Sequence, residues 1–202
     1  MCIICRNEYS KDTTKIVCCG DVTSIPDILV NLVYLDCYGS KIATIPDTLV
    51  KLVTLDCSST RITALPDTLV NLVTLYCYWT CIGSLPDKAI NLVNLDCQWT
   101  KITMLPNTLV NLVNLDCRGT LIDKIPDTLV NLVTLDCGGT QISSLPVTLK
   151  HIKWLYSDKP FVLLYKYGFN NLDVDFRSRY KKLIVLYSVL LSDIYRHYKY
   201  YF

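Results

Sequence analysis

Seven prolines, Pro26, Pro46, Pro66, Pro86, Pro106, Pro126 and Pro146, stand twenty residues apart. Six cysteines keep the same interval: Cys37, Cys57, Cys77, Cys97, Cys117 and Cys137. A fixed period of this length marks a repeat architecture, in which each unit stacks on its neighbours instead of folding around one central core. One unit reads LPDTLVNLVTLYCYWTCIGS from Leu65 to Ser84, and another reads IPDTLVNLVTLDCGGTQISS from Ile125 to Ser144. Six units run from Ile25 to Ser144. The segment Lys15 to Pro26 reads as a half-unit one residue short. A seventh start, LPVTLKHIKWLYSDKP, decays after Leu155, where Ser157 takes the cysteine's place.

A twenty-residue coil has room for one short strand, two turns and a return segment. V-T-L-D-C is the strand, so Leu55 and Cys57 point inward while Thr54 and Asp56 point outward. Leu49, Leu52, Ile62 and Leu65 complete the layer, and equivalent strands stack as a parallel sheet about 4.8 Å apart. In the return segment P-D-T-L-V-N-L, proline presets φ and Asp67 or Thr68 can accept from nearby backbone N–H groups. The repeated cysteines read as small buried hydrophobes. Disulfides along the column fit badly, because parallel Cβ vectors about 4.8 Å apart miss the roughly 3.8 Å a bridge prefers.

Leu52, Leu55, Cys57, Thr60, Ile62, Leu65 and Pro66 spell L-x-x-L-x-C-x-x-T-x-I-x-x-L-P, a pattern that resembles the leucine-rich repeat family. The Cys/Thr form with its LP start is similar to repeats of amoebal giant viruses and to short bacterial effector repeats. The resemblance implies an α/β fold class: a right-handed leucine-rich repeat solenoid with a parallel β-sheet on the concave face, short extended or single-turn convex segments and a helical C-terminal cap. It divides the chain into an N-terminal cap with the incomplete first repeat (1–24), the solenoid (25–157) and the C-terminal cap (158–202). The family carries Asn or Cys where this chain has Thr60, Thr80, Thr100, Thr120 and Thr140. By that likeness the threonine hydroxyls are expected to bond backbone groups of adjacent coils.

Four cysteines break the period: Cys2, Cys5, Cys18 and Cys19, spaced C-x2-C-x12-C-C. C-x-x-C is half of a zinc site, but adjacent cysteines make an awkward second half, and Cys18 also aligns with the core cysteine of the damaged first coil. Two readings stand, an N-terminal cap of small apolar side chains and a structural zinc cap. No other metal and no cofactor is expected. The N-terminus lacks the apolar run and cleavage site of a signal peptide, which points to a reducing cytoplasmic setting, the host cytoplasm if the chain is viral.

From Lys150 on, ten Lys/Arg stand against four Asp/Glu, and nine of the fourteen tyrosines follow Leu155. In YKKLIVLYSVLLSDIYRHYKYYF, Leu183, Leu186, Tyr187, Leu190, Leu191 and Ile194 fall on one helical face. The expected helix covers the end of the last coil, and a basic aromatic helix also suits an anionic membrane surface. Its apolar part is too short to span a bilayer, so no transmembrane segment is expected. The net charge of +2 gives no reason to expect a nucleic-acid partner.

Outward strand positions form the column Asp36, Asp56, Tyr76, Asp96, Asp116 and Asp136. It reads either as a solvated face or as an acidic stripe for a basic partner segment. Tyr76, Tyr78, Trp79, Gln98 and Trp99 interrupt it within two coils, where other coils have Ser58 and Ser59 or Gly138 and Gly139. Tyrosine and tryptophan are frequent interface anchors. The expected function is therefore recognition of a protein partner, a host protein if viral, through a patch of Tyr76, Tyr78, Trp79, Gln98 and Trp99 bordered by Asp56, Asp96, Asp116 and Arg118. The competing reading leaves these aromatics as shields of the turn. A structural or self-assembling protein is the alternative, using valine pairs such as Val50 and Val53 or Val70 and Val73; a monomer is favoured. An enzyme is not expected. The two histidines, His151 and His197, sit in the fading coil and the tail, and no Gly-rich phosphate loop, H-E-x-x-H or nucleophile elbow occurs.

Overall fold

The computed structural model describes residues 2–149 and 151–157 together with one further strand at 173–176. Strands follow the chain in order: β1 (Lys15–Val17), β2 (Tyr34–Asp36), β3 (Thr54–Asp56), β4 (Thr74–Tyr76), β5 (Asn94–Asp96), β6 (Asn114–Asp116), β7 (Thr134–Asp136), β8 (Trp154–Ser157) and β9 (Asp173–Phe176). All lie in one parallel sheet in the order β1 to β9. Leu35 pairs Leu55, Leu55 pairs Leu75 and Leu75 pairs Leu95, so the sequence period is the sheet register. β1 to β7 span three residues each, because twenty must also supply two turns and a return.

The interior is a set of superposed layers. Leu49, Leu52, Leu55, Cys57 and Ile62 are wholly inaccessible in one coil, and Leu69, Leu72, Cys77 and Ile82 repeat this in the next. Leu65 is only partly buried. The six periodic cysteines are all buried and unbridged. Burial pushes the Cys57, Cys77, Cys97 and Cys117 thiols far up, so they stay neutral. Cys37, Cys117 and Cys137 point their sulfurs at the carbonyls of Asp56, Asp136 and Tyr156 in the next coil, at 3.2, 3.4 and 3.5 Å.

Return segments are closed by backbone alone. The Leu69 N–H donates to Pro66 O at 3.3 Å and the Leu72 N–H to Leu69 O at 3.3 Å. The Thr68 hydroxyl, expected to assist this turn, is buried without a partner. The threonine column also differs from expectation. Thr60, Thr80, Thr100, Thr120 and Thr140 donate to the cysteine carbonyl three residues back in their own coil, at 2.6–2.7 Å. Side chains of the return segment bond between coils instead: Asn71, Asn91, Asn111 and Asn131 donate to Val50, Val70, Ile90 and Val110 carbonyls of the preceding coil at 2.8–3.0 Å, and Thr108 and Thr148 donate to the Asp87 and Asp127 carbonyls at 2.7 and 2.8 Å. The hydroxyl of the threonine column hangs from a backbone that has just turned inward and reaches only its own coil. Donors on the return segment, asparagine amide and threonine hydroxyl alike, span the gap.

Past residue 157, β9 pairs in parallel with β8, Trp154 opposite Asp173 and Ser157 opposite Phe176. The α part of the expected fold class rests on the C-terminal helix, whose residues lie outside the described ones. The described residues contain no helix, and none is long and apolar enough to cross a membrane.

Candidate functional site

The second residue after each core cysteine has a distinctive local geometry. Gly39, Ser59, Trp79, Trp99, Gly119 and Gly139 occupy one column, and all have left-handed backbone with φ between 55° and 71°. The cause is the stacking. Each of Gly39, Ser59, Trp79, Trp99 and Gly119 donates its N–H to the next coil, to Ser58, Tyr78, Gln98, Arg118 and Gly138 carbonyls at 2.8–3.1 Å. That register requires a positive φ whatever the side chain. Glycine suits it, whereas an L side chain there costs roughly 1–2 kcal/mol. Glycines recurring at one repeat position were the sequence signal for this turn, and sequence reading passed it over.

Trp79 and Trp99 thus stand in strained positions with 66% and 58% of their surface exposed. The Trp99 indole lies against Gly119: a Cβ added there would fall 2.5 Å from Cε3 and 2.7 Å from Cδ2. Tyr76 is exposed at the end of β4. Tyr78 is half-buried and packs on Tyr38, ring centroids 6.1 Å apart and tilted by 46°. Ser58, in the coil between those two tyrosines, is fully buried and its hydroxyl has no partner. Burial, with Asp56 and Tyr38 nearby, pushes the Tyr78 phenol up. Tyr38, itself exposed, joins the aromatic group although sequence reading left it out, because nothing in a linear comparison shows two rings closing over an intervening serine.

The aspartate column has a structural use that neither sequence reading contained. Asp36, Asp56, Asp96, Asp116 and Asp136 each accept the N–H two residues on, at Tyr38, Ser58, Gln98, Arg118 and Gly138, over 3.0–3.3 Å. These are Asx turns that end the strands. Tyr76 has no carboxylate to offer Tyr78. The stripe is also partly neutralised: Arg118 Nη2 lies 2.6 Å from Asp116 Oδ2, and its Nε lies 3.3 Å from Asp136 Oδ2. The hydrogen bond to Asp116 holds the Arg118 guanidinium charged. Gln98 Nε2 donates to Asp96 Oδ2 at 3.1 Å. Burial still raises the Asp96 carboxyl, helped by the charge of Asp116. Of the border residues, Asp116 and Arg118 are joined by an ion pair, Asp96 is held by Gln98, and Asp56 lies beside the Tyr38–Tyr78 pair.

At the other end, the four unperiodic cysteines separate. β1 pairs with β2, and the Cys18 N–H donates to Asp36 O at 2.7 Å as the Cys37 N–H does to Asp56 O at 2.8 Å. Cys18 is thus the first rung of the buried column, and burial pushes its thiol up to about 12. Cys2, Cys5 and Cys19 come together, their sulfurs within 4.8 Å of one another. Hydrogen bonds from the Cys2 backbone, the Cys5 thiol and the Asp21 backbone lower the Cys19 thiol to about 6, while the Cys19 contact raises Cys5 to about 11.

This parallel solenoid with a twenty-residue period has the fold of leucine-rich repeat proteins. The chain is similar to a leucine-rich repeat protein of Leptospira interrogans, LIC12759, with 22% identity and a TM-score of 0.69 over 82% of this chain and 50% of that one. It is also similar to the functional domain of InlJ from Listeria monocytogenes, described as including a cysteine ladder, with 21% identity and a TM-score of 0.54 over 73% of this chain and 44% of that one. The chain thus spans about half the length of these two structures or less. No family model matches the sequence, and no curated protein does.

Proposed function

We propose that the chain is a protein-binding module whose contact patch is centred on Tyr76, Tyr78, Trp79 and Trp99, with Tyr38 and Gln98 at its margin. Asp56, Asp96, Asp116 and Arg118 form its polar rim. The observation that carries this reading is the pair of tryptophans. Each occupies a left-handed turn that glycine fills without strain, and each leaves most of its surface in water. Local physics favours glycine there, and folding recovers little of the cost through burial, so the side chains are explained by contact with a partner. An apolar or aromatic-accepting pocket flanked by a basic group is the partner surface this patch fits. A reducing cytoplasmic setting and, for a viral chain, a host protein belong to the same proposal.

The Trp79→Gly/Trp99→Gly double variant tests it. Relief of strain and the added freedom of the unfolded chain nearly cancel, so stability should change by no more than about 1 kcal/mol. Partners retained by immobilised wild type should be lost from the variant. Retention of every partner by a folded variant would remove the site.

The alternative, self-association, draws on the exposed row Val30, Val50, Val70, Ile90, Val110 and Val130, each 37–49% accessible. A mass by light scattering that stays monomeric across concentration would dismiss it.

A further inference from the structure

We infer that Cys2, Cys5 and Cys19 form a three-thiolate site for a thiophilic divalent cation, with zinc as the fitting ion, which pins the N-terminal segment onto the first coil. The segment before β1 makes one tight turn: the Arg6 N–H donates to Cys2 O at 3.2 Å, the Asn7 N–H to Ile4 O at 3.0 Å and the Glu8 N–H to Ile3 O at 2.9 Å. That turn sets Cys2 and Cys5 side by side, sulfurs 3.8 Å apart. Asn7, at φ 55°, redirects the chain so that the turn comes back against the first coil. There Cys19 Sγ lies 3.3 Å from Cys5 Sγ. Zinc–sulfur bonds of about 2.3 Å in tetrahedral geometry place neighbouring sulfurs roughly 3.8 Å apart. The three sulfurs thus reach a common ion through small side-chain adjustments.

The awkwardness of adjacent Cys18 and Cys19 disappears, because only one of them belongs to the site. Cys18 is held in the coil's interior register by its bond to Asp36. Cys19 instead sets its sulfur with those of Cys2 and Cys5, all within 4.8 Å of one another. Binding displaces the thiol protons into solvent, and three protein ligands leave a fourth position for water. A clamp has a use here. Cys2, Ile3, Ile4 and Tyr9 are only partly buried against the core, so apolar contact alone holds this end loosely.

Anaerobic titration of the reduced 202-residue chain with cobalt(II), followed by competition with zinc, tests the inference. The expected result is one equivalent of cobalt with intense sulfur-to-metal charge-transfer absorption, displaced by zinc. Cys5→Ser and Cys19→Ser should each weaken binding at least ~10-fold, while Cys81→Ser, at an exposed cysteine elsewhere, should leave it unchanged. A folded wild-type chain without that absorption overturns the site, whatever the variants do. So does undiminished binding by Cys19→Ser. A reduced chain that takes up no metal but forms a Cys5–Cys19 disulfide on oxidation also overturns it.

Discussion

A single column of turn residues carries both the strain and the exposed aromatics of this protein. Gly119 and Gly39 share the same left-handed backbone, yet their surroundings differ. A Cβ on Gly39 meets nothing within 4 Å, whereas one on Gly119 would strike the Trp99 indole at 2.5 Å. Gly39→Ala should therefore cost only the backbone term, about 1–2 kcal/mol. Gly119→Ala should cost that and also displace Trp99, giving a larger fall in melting temperature and a shifted tryptophan emission. Equal losses would mean that Trp99 does not rest on Gly119. Neither glycine is distinguished by its neighbours in sequence, since the indole arrives from the preceding coil.

Every strand is short, and an Asx turn ends β2, β3, β5, β6 and β7. Asp56 accepts the Ser58 N–H at 3.0 Å. Asp56→Ala should lose about 0.5–1.5 kcal/mol in a denaturant melt, while Asp56→Asn, which keeps the acceptor, should lose little. A loss shared by both variants would assign the effect to charge instead. The aspartate at each strand end was legible as a periodic outward residue, and its alternation with buried leucine was enough to place it. Its bond to the following turn was not legible, because a carboxylate column suits a solvated face equally well until the backbone N–H is seen beside it. The threonine and asparagine columns teach the same lesson. Both are polar and periodic, and only the place of each in the coil decides which one spans coils.

At the scale of the whole molecule, the buried thiols make alkaline stability a property of the stack. Burial raises Cys37, Cys57, Cys77, Cys97 and Cys117 above the ordinary 9.0. Below pH 9 folded and unfolded chains bind these protons alike. Above it the unfolded chain releases them and the folded chain does not, so stability falls as pH rises. Each such thiol contributes about 1.4 kcal/mol per pH unit. Denaturant melts between pH 8 and about 10.5 should show a steep decline, softened by replacing one ladder cysteine with alanine. A flat profile would mean that the column is not closed to solvent.

The sequence by itself determined the coil, its register and its interior. A twenty-residue period leaves one inward set of leucine, cysteine and isoleucine, and apolar burial has a single way to satisfy copies of that set. It also marked Trp79 and Trp99 as departures from the repeat and brought four N-terminal cysteines to notice. Only the tertiary structure decided that the tryptophans sit in left-handed turns, that Tyr38 joins Tyr78, that Arg118 bridges two carboxylates, and that Cys19 meets Cys2 and Cys5. The physical reason is common to all four. Inward positions are fixed by hydrophobicity, which repeats along the chain, whereas these contacts join different coils or depend on backbone torsion, and neither is written in the order of residues.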